Sequence, residues 1–164
     1  MITTAQVLAE RALNEACGQS CVEWAISMLE QGKDGTHLRM LASMSPPFNH
    51  FEVAEYRDRS LEELGVGNTA DAEAINMYAA EVLRLAATDE AELPSALARV
   101  KDLCVGFNYP KNLYDFYLLH FAYSDLQDSE VQWYWKGADR SNIDSIIEER
   151  VRAFLSSSSN ACNA

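Results

Sequence analysis

Along most of the chain the apolar positions recur every three or four residues, the spacing of helices that bury one stripe. Five segments open with a capping side chain three residues ahead of a carboxylate or amide: Thr3 with Gln6, Ser20 with Glu23, Asn49 with Glu52, Asn112 with Asp115, and Ser141 with Asp144. A first helix is expected from Thr4 to Cys17, ending in a left-handed turn at Gly18. A second follows at once, with Val22, Ala25, Ile26 and Leu29 on one face and Gly32 as its stop. After Lys33-Asp34-Gly35 a short helix carries Thr36, Leu38, Leu41 and Ala42 as far as Pro46-Pro47, which completes a helical hairpin.

The pattern resumes at Asn49 with Phe51, Ala54, Leu61 and Leu64 and breaks at Gly65 and Gly67. A long helix is then marked by Ala72, Ile75, Tyr78, Ala79, Val82 and Ala86. Pro94 suits the first turn of the next helix, whose face is Leu97, Val100, Leu103 and Cys104, before Gly106 and Pro110. Leu113, Phe116, Tyr117, His120 and Phe121 predict a helix from Asn112 to Tyr123, and Ile143, Ile146, Ile147, Val151 and Phe154 predict the last. Between them Val131 to Trp135 alternates loosely and reads equally as an extended segment or a helical turn. The pattern as a whole predicts an all-α fold: a single irregular bundle of about six to eight antiparallel helices over residues 1–155, with no internal repeat. Residues 156–164 form a polar Ser- and Asn-rich tail that is expected to fray.

The residues Trp24-Ala25, Leu29, Gly32, Asp34, Leu38 and Leu41-Ala42 spell W-A-x(3)-L-x(2)-G-x-D-x(3)-L-x(2)-L-A, with Phe51-Glu52 and Glu63-Leu64-Gly65 further on. This opening resembles a group of small, functionally uncharacterised bacterial proteins over roughly the first 65 residues. The resemblance implies an all-α bacterial protein and assigns no functional residue.

Composition narrows the function classes. A chain of 164 residues that is 48% apolar can build one core. Its 25 acids against 13 bases give a net charge of −12, which repels phosphate backbones and excludes direct nucleic-acid binding. The N-terminus lacks a basic region followed by an apolar run, and every hydrophobic stretch is interrupted well before the ~18 residues a membrane span requires. No membrane association and a cytoplasmic location are therefore expected. The four cysteines, Cys17, Cys21, Cys104 and Cys162, are too sparse for a disulfide scaffold and are expected as reduced thiols.

Candidate chemistry is thin. Cys21, at the opening of the second helix, is placed where a helix dipole would favour a thiolate, although small apolar side chains of this kind also fill tight helix junctions. The histidines His37, His50 and His120 share no helical face with one another, and no metal or cofactor is expected. A ligand set assembled from distant positions such as His50, Glu55 and His120 stays open, and Asp34 and His37 share a turn without a nucleophile. Nucleotide-loop and hydrolase-elbow motifs are missing from the sequence. Ten of the 16 aromatic residues fall between positions 107 and 135, which implies either a thick aromatic core or an exposed contact surface. Eight acids against one base from Glu62 to Glu92, with Asp89 and Glu90 among them, place −7 of the net charge in one stretch.

From these features we expect a non-enzymatic protein-binding domain, an adaptor or an immunity-type inhibitor, whose partner is another protein, with a basic one suited to the acidic face. Its interface candidates are Glu62, Glu63, Glu73 and Glu81 on the acidic stretch and Tyr114, Tyr117, Trp133 and Trp135 among the aromatics. One alternative is a small-molecule binder or enzyme with an inter-helix pocket near His120 and Trp133, with Asp115 as the nearby acid. The other is a self-associating structural protein, a homodimer joined through the same patch.

Overall fold

The computed structural model describes residues 1–88 and 91–161, with side chains as far as residue 158. Among these the regular structure is entirely helical: α1 (Thr4–Ala12), α2 (Gln19–Glu30), α3 (Thr36–Ala42), α4 (His50–Glu63), α5 (Asp71–Ala87), α6 (Leu93–Gly106), α7 (Tyr114–Asp128) and α8 (Ile143–Ala161). The expected all-α class is what the chain adopts. Among the described residues no helix is long and apolar enough to cross a membrane. The contacts divide the chain into two compact units, Met1–Ile75 and Asn76–Ala164.

In the first unit α3 packs against both α2 and α4, and Leu8, Trp24, Ala25, Leu38, Leu41, Val53 and Leu61 are fully buried. Polar side chains lock this core from its edges. The Trp24 indole Nε1 donates to Thr4 Oγ1 at 3.1 Å, and Arg11 donates to the carbonyls of Gly67 at 2.9 Å and Thr69 at 3.0 Å. The caps expected at Thr3 and Asn49 form, with Thr3 accepting from the Gln6 N–H and Asn49 from those of Phe51 and Glu52.

The entry to α2 differs from expectation. Helix α1 stops at Ala12, where Asn14 adopts the left-handed conformation (φ 52°) assigned above to Gly18. Gly18 is instead extended and serves as the N-cap of α2. Ser20 lies inside the first turn and donates to Glu10 Oε2 at 3.3 Å, so it caps nothing. Cys17, just ahead of this cap, and Cys21, in the first turn of α2, have their Cα atoms 6.2 Å apart and form a disulfide. This corrects the expectation of reduced thiols for the pair and removes Cys21 as a reactive-thiol candidate. Cys104 is free, and burial pushes its thiol pKa up. Cys162 lies outside the described residues.

In the second unit α7 packs on α6 and α8. Leu97, Val100, Leu103 and Cys104 of α6 are buried, as are Leu113, Phe116, Leu119, Ala122 and Leu126 around α7, and Ile143, Ile147, Val151 and Phe154 of α8. The Phe116 and Phe154 rings meet edge to face at 5.5 Å. Asn112 does not cap α7: Leu113 holds the N-cap position without a side-chain bond, and the Asn112 amide N–H donates to Asn76 Oδ1 at 2.5 Å. The helix therefore starts at Tyr114, and it runs past Tyr123 to Asp128. Ser141 is likewise no cap, since its N–H and hydroxyl both donate to Asp139. The serines assigned above to a polar tail belong to α8: Ser156 donates to the Arg152 carbonyl, and Ser157 and Ser158 to that of Phe154. Val131 to Trp135 forms neither a strand nor a helix.

Candidate functional site

The aromatic residues of positions 107–135 separate into core and surface. Of the ten, Phe116 alone is buried; Tyr109, Tyr114, Trp133 and Tyr134 are exposed and the others are half-buried. This distribution favours the surface over the thick core. The cause lies in the spacing on α7: Phe116, Leu119 and Ala122 turn inward, so Tyr114, Tyr117 and Phe121 fall on an outward stripe.

The stripe forms a continuous ladder of ring contacts. Tyr114 and Tyr117 stack with centroids 5.6 Å apart, Tyr117 meets Phe121 edge to face at 5.1 Å, and Phe121 stacks on Tyr134 at 5.2 Å. Tyr109 joins from the α6–α7 turn, with its ring 5.4 Å from that of Tyr117. It is held there by two consecutive left-handed residues, Asn108 and Tyr109, both at φ 57°. Asparagine tolerates that conformation, whereas tyrosine pays about 1–2 kcal/mol for it. Burial, then the neighbouring phenols of Tyr109, Tyr114 and Tyr134 and the Cys104 thiol, push the Tyr117 pKa up. Its hydroxyl stays an O–H donor at ordinary pH.

Beside the ladder lies the α7–α8 connection, which is tied by its own side chains. Gln132 accepts from the N–H groups of Tyr134 and Trp135 with Oε1, both at 2.8 Å, and donates to the carbonyls of Trp135 and Ala138 with Nε2. Arg140 Nε donates to the Leu126 carbonyl at 2.8 Å, and Asn142 Nδ2 to that of Gly137 at 2.9 Å. On this framework Trp133 stands 89% exposed. Trp135 is half-buried instead, with the Arg150 guanidinium 5.2 Å from its ring centroid.

The residues suggested for a pocket do not converge. Asp115 and His120 are five apart on α7, about 140° around the helix axis, and Asp115 pairs with Arg150 at 3.6 Å. His120 packs edge to face on Phe121. Burial and the charge of Lys101, opposed by Asp102, hold its pKa below the usual value, so the ring is neutral at pH 7. An open cleft of about 250 Å³ in this unit is lined by Asn112, Asp115, Phe116, Arg150, Ala153, Phe154 and Ser157, without His120 or Trp133. Among the described residues no group of three or more His, Cys, Asp or Glu could hold a metal ion.

The acidic candidates have diverse surroundings. Glu62 and Glu73 are exposed, and Glu81 is half-buried on α5. Glu63 is engaged internally: its carboxylate accepts from the backbone N–H groups of His37 and Leu38 and lies 2.7 Å from His37 Nδ1. Burial works against this charge, yet the hydrogen bonds outweigh it and hold the Glu63 pKa below the usual glutamate value. A Cβ on Gly35 would collide with the same carboxylate. Asp34 is occupied by Arg39, Glu55 by Arg59, and the His50 ring by the Cys17 carbonyl. Asp89 and Glu90, counted in the acidic stretch, lie outside the described residues.

Sequence reasoning reached Tyr114, Tyr117 and Trp133 but passed over Tyr109 and Gln132. A signal existed for the first, since Asn108 after Gly106 hints at a left-handed turn. None existed for the second, whose role depends on four backbone groups meeting in space. No family model, curated protein or solved structure matches the chain.

Proposed function

We propose that this chain is a non-enzymatic protein-binding domain that engages its partner through the Tyr109–Tyr134 aromatic ladder and the Trp133 loop. The observation that carries the reading is Trp133, an almost fully exposed indole on a connection fastened by Gln132 and Arg140. A large ring held ready on an ordered loop gives contact area with little entropy left to lose, which is the physical basis of binding hot spots. The strained Tyr109 adds support, because local strain of this kind concentrates at functional sites. The net charge of −12 favours a partner that is positively charged, whose capture it would accelerate.

The test is capture of partners by the immobilised protein and by its Trp133→Ala variant, followed by titration of each captured protein in purified form. A partner that binds wild type saturably and the folded variant at least about tenfold more weakly supports the reading. A partner bound equally by both sinks it, as does wild-type material that binds nothing.

A further inference from the structure

We infer that the ladder receives a proline-rich segment of a partner protein, in extended polyproline conformation, with basic residues at the end that meets the C-terminal half of α7. This rests on the protein-binding reading above and names its ligand class.

The first argument is the shape of the surface. Successive ring centroids lie 5.1 to 5.6 Å apart from Tyr114 through Tyr134. Rings in such mutual contact leave no space for a cation between them, so they offer flat faces and edges in place of a cage. Flat apolar faces suit pyrrolidine rings, which are themselves compact and rigid.

Hydrogen-bonding capacity makes the second argument. Tyr109, Tyr114 and Tyr134 are exposed, and with the half-buried Tyr117 they give the ladder four phenol hydroxyls, with the exposed Trp133 indole on the neighbouring connection. A helix or a paired strand already satisfies its own carbonyls. A polyproline segment has no internal hydrogen bonds, its prolines carry no N–H, and its carbonyls point outward as acceptors. Donors set among aromatic faces therefore complement this backbone better than they complement regular structure.

Charge sets the direction. Asp125 and Asp128 follow Phe121 by four and seven residues, which continues the outward stripe of α7. No lysine or arginine occurs between Lys111 and Lys136, while Asp115, Asp125, Asp128 and Glu130 all do; Arg140 is brought to the C-terminal end of α7 by its bonds to the Leu126 and Gln127 carbonyls, one cation beside the carboxylates of Asp125, Asp128 and Glu130. The aromatic stripe thus runs into carboxylates at one end, and a ligand with arginine or lysine at the matching end is favoured over the reverse. The docked segment gains little by folding, because the polyproline conformation is already populated in the free chain.

The experiment uses the full chain with three synthetic peptides: consecutive prolines ending in two arginines, the same prolines ending in two glutamates, and a serine-glycine peptide ending in two arginines. Binding is followed by backbone amide shifts and tryptophan emission. The first peptide is expected to saturate and to shift the amides of Tyr117, Phe121 and Trp133, with the other two at least about tenfold weaker. Trp133→Ala, which removes an exposed side chain and leaves the fold intact, should weaken it similarly. Asp125→Asn with Asp128→Asn should erase the preference for arginine over glutamate ends. Equal binding of the serine-glycine peptide would mean generic charge attraction and would overturn the inference. So would shifts that map away from α7, or a ladder occluded by a second copy of the chain in sedimentation. If none of the peptides binds while a captured partner still depends on Trp133, the ligand class is wrong and the binding surface stands; loss of both removes the parent reading as well.

Discussion

The two units differ in where their polar side chains are concentrated. In Met1–Ile75, Arg11, Trp24, His50 and Glu63 reach across to a backbone or side chain of another element and close the structure. In Asn76–Ala164, Gln132, Asp139, Arg140 and Asn142 organise one connection, and its most prominent ring is left in solvent. Each unit contains a tryptophan that shows the difference: Trp24 is fully buried with its N–H satisfied, and Trp133 is 89% exposed. Phe51, exposed at the start of α4, is the exception in the first unit, but it lacks a ring neighbour comparable to the ladder, and single exposed rings are ordinary. The same hydrogen-bonding chemistry that stabilises a core in one place presents a surface in the other.

Five replacements would break or sharpen that contrast. Trp24→Ala should cost the most, about 3–5 kcal/mol, because it opens a cavity in the core and removes the N–H that donates to Thr4 Oγ1; urea denaturation would show it, and a loss below about 1 kcal/mol would mean the site collapses or the ring is not core. Replacing Cys17 and Cys21 together by serine should cost about 2 kcal/mol, as expected for a very short closed loop. Thiol titration of the denatured wild type should then find two reactive cysteines of the four, and four would contradict the disulfide.

Glu63→Gln should cost about 1 kcal/mol, the scale of a lost helix cap. Its signature is pH dependence. Since the folded-state pKa is depressed, the wild-type advantage is complete above the unfolded value near 4.5 and disappears as pH falls through the lower folded-state value. Gly35→Ala should reproduce the loss by displacing the same carboxylate, and the double variant should be little worse than either single one. Trp133→Ala should have the smallest effect, within about 0.5 kcal/mol of wild type; a larger loss would make Trp133 a structural residue and dissolve the contrast.

The helices were legible because their signals are local. Apolar spacing and the breaks at Gly32, Gly65 and Pro94 operate within a few residues, and α2, α3, α4 and α6 follow them closely. The caps were less legible where a distant partner competes for the side chain: Ser20 turns to Glu10, and Asn112 to Asn76. The disulfide was hidden because four sparse cysteines carry no pairing signal of their own, and the bond depends on how Cys17, ahead of the Gly18 cap, is set against Cys21 in the first turn of α2. Tyr114 and Tyr117 showed in the helical spacing, whereas the ladder needs Tyr109 and Tyr134 to arrive from separate connections, and no local pattern encodes that meeting.

Tyr109 turns the ladder into a measurable conflict of interests. A glycine at this position would relax the left-handed backbone, yet it would delete the rung that meets Tyr114 and Tyr117. Variants chosen for binding should therefore keep the ring and tolerate the strain, while selection for heat resistance alone places no such demand on position 109.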